Sequence, residues 1–359
     1  MRKIIAVSII VAIAVAAVVS MAYLYIAHQK SRPTLIIFCA GSLAKPFEKI
    51  AAIFEKKYNV TVYIEPSGSV FAVRKVVDLK RRCDVLGVAD YRLIPKFMFP
   101  KYANWYAIFA TNQIVLAFTN HSKYASYLLK HPDKWYIVLQ MPGVRYGFSN
   151  PNMDPCGYRA VGVIALAALY YHNMTILKNL VISKIPGSKY KLYKNGTLVV
   201  YIPASFTPRG NLVTRPKEID LVSLLQSGAI DYAFEYKSVA VQYHLLYIPL
   251  PPQINLGSPE YNNFYQRVIV HILVGSPEEK AIKMKAIEYG VTIPTVALHK
   301  ELAIKFIELL LSPVGRRIFE EGGQPFLNKV ILVGKVPPEL IKFLREEKIG
   351  FVLENVTSS

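Results

Sequence analysis

TLIIFCA, residues Thr34–Ala40, is an unbroken apolar run closed by Gly41, which predicts a short buried strand. In the following GSLAKPFEKIAAIFEKKY, the residues Phe47, Ile50, Ala51 and Phe54 recur at helical spacing and predict an amphipathic helix. VTVYIEP reads as a second strand and SGS as a turn. A second helix follows, with Val70, Val73 and Val77 on one face, and CDVLGVAD (Cys83–Asp90) reads as a third strand. This β-α-β-α-β order predicts a parallel sheet with right-handed crossovers. NQIVLAFTN (Asn112–Asn120) is a further strand, expected to carry the chain out of a first lobe. GVRYGFS leads to a long apolar helix that begins after Asp154. KYKLYKNGTLVVYIP places two β-rich runs around Asn195-Gly196, a hairpin signal. RPKEIDLVSLLQSGAIDYAFEY reads as a helix, a stop at Gly228 and a strand ending near Tyr236. FYQRVIVHILVG reads as a strand. ELAIKFIELLLSPVGRRIFEEGG gives a helix broken at Pro313 and a second short one, and the charged tail after Lys335 reads as helical.

The first segment breaks this alternation. Ile4–Ala27 is 24 residues without a charge, preceded by Arg2 and Lys3, which is long enough to span a bilayer. It is expected to be an uncleaved anchor with the body outside the cell, a cleaved signal peptide being the alternative. Five Asn-X-Ser/Thr acceptors, headed by Asn59, Asn120, Asn173, Asn195 and Asn355, are in keeping with export. The remaining length allows two domains or one large α/β domain. Three cysteines are too few for a disulfide framework. Cys39 and Cys83, on neighbouring strands, could pair or could be buried thiols. With the four Lys/Arg ahead of Pro33 set aside, 39 basic against 24 acidic residues leave +15. These cations are spread over many helix faces, and no basic-aromatic module is found, so no nucleic-acid partner is expected.

Chemistry enters at a few junctions. Gly41-Ser42-Leu43 and Ser67-Gly68-Ser69 are strand-to-helix turns, at the strand ends where ligands collect in parallel sheets. They form either an anion cradle of amides and hydroxyls or two ordinary serine caps. Asp154 with Pro155 is a helix-start signature, and taken alone Asp154 is a cap. Glu235, at a strand end, is taken alone a solvent-facing acid. Cys156 reads as packing and Arg159, in the first helical turn, as solvent-facing. No H-E-x-x-H, C-x-x-C, Walker loop, G-x-G-x-x-G or G-x-S-x-G is present, and nothing announces a catalytic nucleophile. The chain is therefore expected to be a binding module and not an enzyme.

Taken together, FCAGSLAKPFEKIAAIFEKKY, EPSGSV, DVLGVADY, NPNMDPCGYRAVGV, RPKEIDLVSLLQSGAIDYAFEYKSVAVQ and LLLSPVGRRIFEEGGQPFL resemble, in this order, the archaeal-type molybdate/tungstate-binding proteins, extracellular receptors of ABC importers. The likeness runs from about Leu35 to Phe326, and D-P-C-G-Y-R and D-Y-A-F-E-Y-K-S-V-A are its most specific pieces. It implies an α/β, two-lobed fold of the type II periplasmic-binding-protein kind, with the ligand in the cleft between lobes. On this reading residues 1–33 are the membrane segment, 34–112 the first part of lobe 1 and 113–245 lobe 2. Residues 246–334 are the return to lobe 1 with the hinge, and 335–359 are a charged tail. The resemblance places Ser42 and Ser69 as donors to the oxyanion, Asp154 and Glu235 as carboxylates bound directly to molybdenum or tungsten, and Tyr236 as a further donor through its backbone. It implies tungstate or molybdate as ligand with no cofactor, permease and ATPase subunits as partners, a monomer, and a location at the extracellular face of the membrane. No lipobox cysteine follows the apolar segment, unlike in lipidated relatives.

The physics of such a site is selective. A dianion 4 Å from a carboxylate is repelled by roughly 1–4 kcal/mol per charge pair at realistic dielectrics. A hexavalent molybdenum or tungsten centre can accept two more oxygen donors, and hard centres favour carboxylates. Two carboxylates would complete six-coordination and reject sulfate or phosphate. Asp154 would then give one oxygen to its helix cap and the other to the metal. The alternatives are a receptor for sulfate or phosphate, a surface hydrolase using the paired carboxylates, and a purely adhesive surface protein.

Overall fold

The computed structural model describes residues 13, 15–23 and 32–355. The expected anchor, Ile4–Ala27, lies mostly outside the described residues, as does the end of the Asn355 acceptor. Among the described residues no helix is long and apolar enough to cross a membrane.

In chain order the strands are β1 (Thr34–Ala40), β2 (Thr61–Ser67), β3 (Val85–Val88), β4 (Trp105–Asn112), β5 (Ile114–Phe118), β6 (Tyr146–Ser149), β7 (Lys189–Leu192), β8 (Leu198–Pro203), β9 (Leu212–Arg215), β10 (Tyr232–Tyr236), β11 (Leu246–Pro249), β12 (Val268–Val274), β13 (Lys280–Lys283), β14 (Ile287–Thr292), β15 (Phe326–Gly334) and β16 (Phe351–Glu354). Three sheets result, ordered β16-β15-β4-β14-β3-β1-β2, β11-β5-β10-β6-β9 and β13-β12-β8-β7. The opening β-α-β-α-β pattern is realised as expected: β1 pairs in parallel with both β2 and β3. The hairpin around Asn195-Gly196 is β7–β8, antiparallel, with Gly196 at φ +81°.

Four helices position the site: α1 (Ala44–Tyr58), α2 (Ser69–Val77), α3 (Pro155–Tyr170) and α4 (Ile219–Gln226). Helix α1 buries Phe47, Ile50, Ala51 and Phe54, as its spacing dictates. Helix α2 differs from the sequence reading. It buries Ala72, Val73 and Val76, whereas Val70 is 50% exposed. Its core stripe is completed by Lys75, whose ammonium meets Glu65 at 2.8 Å and Ser67 Oγ at 3.1 Å over the Phe38 ring. A buried, paired lysine is invisible to an apolar-periodicity count. Helix α3 lacks a polar stripe because it packs against β6 and β10 on one side and β12 on the other, between two sheets.

Two neighbouring passages connect the seven-stranded sheet to the other sheets. One is the β4–β5 junction. The other is β14, which runs antiparallel to β4 with Ile287 opposite Asn112. The buried Asn112 amide locks this junction by donating to Ser238 Oγ (2.8 Å) and Tyr289 Oη (2.9 Å). After residue 246, β11 belongs to the five-stranded sheet, β12 and β13 to the four-stranded one, and the chain re-enters the first sheet at Ile287. Local patterning identified the β12 strand but carried no sign of its parallel partner β8. The tail contributes β16 as an edge strand parallel to β15.

Cys39 and Cys83 do not pair. Cys39 stands opposite Gly87, four residues beyond Cys83, and all three cysteines are free and buried.

Gly157 fixes how α3 meets β6. A Cβ there would lie 2.1 Å from the Ser149 carbonyl oxygen, so the helix start is pressed onto the strand end. Gly157→Ala is expected to cost about 1–3 kcal/mol of stability by overpacking. Chemical denaturation checks this; an unchanged midpoint would show that the helix start can shift freely.

Candidate functional site

The carboxyl ends of β6 and β10 lie side by side because the two strands run parallel, Tyr146 opposite Tyr232. Three residues further on, Ser149 and Glu235 end these strands. Both are fully buried, and neither the Ser149 hydroxyl nor either Glu235 carboxylate oxygen has a hydrogen-bond partner. Burial pushes the Glu235 carboxyl well above its ordinary range, with the charges of Glu218 and Asp154 adding to the shift. The Tyr236 backbone amide opposes it without reaching proper hydrogen-bond geometry on either oxygen.

Asp154 occupies the N-cap position of α3 in extended geometry (φ −135°, ψ 134°), with Pro155 next, but its side chain makes no bond to its own helix. Its Oδ2 instead accepts the backbone N–H of Glu218 at 3.1 Å, at the start of α4. The expectation of one oxygen on an amide is met by a different helix from the one expected. The loop carrying Asp154 is pinned: Asn152 donates to the Pro203 carbonyl (2.8 Å) and accepts from the Leu273 amide (2.8 Å).

This contact brings in Glu218, which the sequence reading did not single out. Its side chain meets that of Asp154. Burial, then the Asp154 charge, pushes the Glu218 carboxyl from its ordinary 4.5 up to about 7. The only local signal was an acid directly ahead of the helix in RPKEIDL, where a helix start already accounts for it. Among the described residues no basic side chain forms a salt bridge with Asp154, Glu218 or Glu235. Nor is any group of three or more His, Cys, Asp or Glu there placed to hold a metal ion.

The serines present a different chemistry. Ser42 lies in a single 3-10 turn, Gly41–Leu43, after β1. Tyr289 Oη accepts from Asn112 (2.9 Å) and Gln324 (3.0 Å) and spends its own proton on Ser42 Oγ at 3.1 Å. Gln324 also donates to the Ser42 carbonyl at 2.7 Å. Ser69 opens α2 behind Gly68, and its Oγ accepts the Ala89 amide at 3.0 Å. Neither serine caps its helix. Each hydroxyl oxygen is already an acceptor inside the protein, which leaves the proton of each free to donate outward. Two such hydroxyls suit an anion.

The Tyr236 side chain is engaged elsewhere than on the carboxylates, its Oη accepting from Arg159 Nη1 at 2.6 Å. Arg159, read from the sequence as solvent-facing, is buried. A surface concavity of about 670 Å³, lined by Gln140, Arg145, Lys184 and Asn211 among others, contains none of these groups.

Residues 35–324 match the bacterial extracellular solute-binding protein family. The chain belongs to that family. A solute-binding protein of Staphylothermus marinus is 51% identical over 320 residues, covering 89% of this chain and 90% of its own length. The molybdate/tungstate-binding proteins WtpA of Thermococcus kodakarensis and Pyrococcus abyssi are 46% and 47% identical, covering 87% and 85% of this chain and 87% and 88% of their own. Among solved structures, the substrate-binding domain of a putative molybdenum ABC transporter from Clostridium difficile superposes with a TM-score of 0.52 at 18% identity. It covers 82% of this chain and 99% of that one. The periplasmic molybdate-binding protein of Azotobacter vinelandii gives 0.51 at 17%, covering 81% and 98%. The fold is that of the type II periplasmic binding proteins, and the family implies an extracellular or periplasmic solute-binding role.

The raised Glu218 carboxyl has a consequence for stability. Between pH 4.5 and about 7 the folded, ligand-free protein keeps a proton that the unfolded chain has released. The stability this contributes is fully present below pH 4.5 and is lost as the pH rises to 7, about 2–3 kcal/mol over the window. Glu288, raised to about 7 by burial, acts in the same direction. Glu218→Gln is therefore expected to remove only part of the decline. Denaturant titrations of both proteins at pH 4.5 and 7 measure it, and an identical slope in the variant would contradict the raised ionisation.

Proposed function

We propose that this protein captures tungstate or molybdate outside the cell and delivers it to the permease of an ABC importer. The observation that carries the reading is the 3.1 Å hydrogen bond from the Glu218 backbone amide to Asp154 Oδ2, which brings two acids together at two helix starts, with no basic residue in a salt bridge to either or to the buried Glu235 among the described residues. Such a cluster repels a simple dianion by kilocalories. It is suited to an oxyanion whose central atom is electron-poor and can take up further oxygen donors. The hydroxyls of Ser42 and Ser69, with protons free, serve the oxo groups. The names of the two WtpA relatives support the same ligand.

Asp154 and Glu218 are the donors we assign to the metal, because both are partly exposed and meet at the cleft-facing start of two helices. Glu235 is a second reading for the partner of Asp154, favoured by its two unpartnered oxygens. Tyr236 would contribute its backbone. Binding bridges the unit holding Ser42 and Ser69 and the unit holding the carboxylates, so the ligand draws an open–closed equilibrium toward the closed form that a permease recognises. The N-terminal apolar segment would anchor this monomer to the membrane.

Calorimetric titration of the full-length protein with tungstate, molybdate and sulfate tests the reading. Tungstate and molybdate are expected to bind at least about a thousandfold more tightly than sulfate, some 4 kcal/mol. Glu218→Gln is expected to weaken tungstate roughly tenfold more than it weakens sulfate. A larger selective loss in Glu235→Gln would move the metal bond to Glu235, and equal losses for both anions in both variants would refute direct bonding.

A further inference from the structure

Arg159 is the feature that neither the fold nor the ligand reading uses. It lies in the first turn of α3, five residues after Asp154, and is 6% exposed. Its guanidinium sits 5.7 Å from the ring centres of both Tyr158 and Tyr236, and a single one of its N–H groups is accounted for, in the 2.6 Å bond to Tyr236 Oη. No carboxylate comes within salt-bridge distance of it among the described residues. Asp90, whose charge acts on it, is already held by Arg92 at 2.6 and 2.9 Å. A buried cation without a carboxylate partner is costly to keep unless something else supplies the negative charge.

The position of that charge is informative. Arg159 lies in the helix that Asp154 opens and is bonded to Tyr236, the residue after Glu235 at the end of β10. The cation is thus tied to both elements that carry the site's carboxylates. A tungstate dianion beside ionised Asp154 and Glu218 would gather four negative charges, and Arg159 is a buried basic residue on the helix that Asp154 opens.

We propose that Arg159 is the buried counter-charge of the binding site, a specificity-determining residue that favours doubly charged over singly charged tetraoxo anions. This rests on the oxyanion reading above. Tyr236 serves it as a positioning residue, its hydroxyl fixing the guanidinium on the site's side of the α3 start. The role differs from that of the carboxylates: they select for a central atom able to expand its coordination, whereas Arg159 selects for the ligand's total charge.

Perrhenate is the appropriate probe, a tetraoxo anion of similar shape to tungstate with one charge fewer. Calorimetric titrations of the full chain with each anion would compare the wild type, Arg159→Met and Arg159→Lys. Arg159→Met is expected to weaken tungstate roughly tenfold or more and perrhenate distinctly less. Its ligand-free melting temperature is expected to stay level or rise, because an unpaired buried charge is replaced by an apolar chain. Arg159→Lys, which keeps the charge, is expected to retain most of the preference for tungstate. Wild-type tungstate affinity in Arg159→Met, or an equal loss for both anions, would overturn the proposal and leave the oxyanion reading standing. A fall in ligand-free melting temperature with anion binding unchanged would show a purely structural arginine. If Arg159→Met does not fold, Arg159→Lys decides alone: a retained preference supports the counter-charge and a lost preference refutes it. A wild type that binds neither anion would remove the oxyanion reading and this proposal together.

Discussion

Acids brought together with no salt-bridge partner of their own are the constraint around which this site is arranged. Asp154 receives the Glu218 amide, the two side chains meet, and Glu235 lies fully buried behind them. Burial, and then the charge of the neighbouring acids, raises the carboxyls of Glu218 and Glu235, which hold on to their protons. The arrangement persists because the backbone imposes it. Two helix starts, α3 and α4, converge where β6 and β10 end, and the pinned Asn152 loop prevents Asp154 from swinging away.

On the opposite unit the same logic appears with reversed polarity. Asn112, Gln324 and Tyr289 form a chain of donors whose last proton goes to Ser42, so the Ser42 hydroxyl is fixed as a donor toward the outside. That chain runs through the junction between β4 and β14, the two strands that link the units. The groups that orient one half of the site are therefore the groups that define how the halves are joined. A change in the angle between the units would be felt at Ser42 through two hydrogen bonds.

Much of this was legible along the chain, for identifiable reasons. The strands β1 to β3 and helix α1 follow from local apolar periodicity, and the family likeness rested on stretches that are continuous in sequence. Ser42, Ser69, Asp154 and Glu235 could be named because each sits at a strand or helix end inside such a stretch. Glu218 could not, since an acid ahead of a helix is already explained by the helix, and only the tertiary approach of α4 to α3 reveals its neighbour. Arg159 was misjudged because a charged residue in a first turn defaults to solvent; the enclosure of α3 between two sheets removed that option. The same enclosure explains why the return to the first sheet falls at Ile287: the partner of β12 is β8, about seventy residues earlier, and no local pattern encodes that pairing.

The cost of the crowded carboxylates also constrains what relieves it. A sodium or magnesium ion would neutralise the pair, but the described residues offer no cluster of three ligands to hold one. A sulfate would add to the repulsion, because its sulfur cannot accept the carboxylate oxygens. An oxyanion with an expandable metal centre presents positive character to Asp154 and its partner and negative oxygen to the serine hydroxyls at once. Relief of the internal strain and discrimination between anions then have one origin. Because any ligand that binds the folded state stabilises it by RT ln(1 + [L]/Kd), on the proposed reading the ion that best relieves the repulsion would also be the one that most favours a closed form.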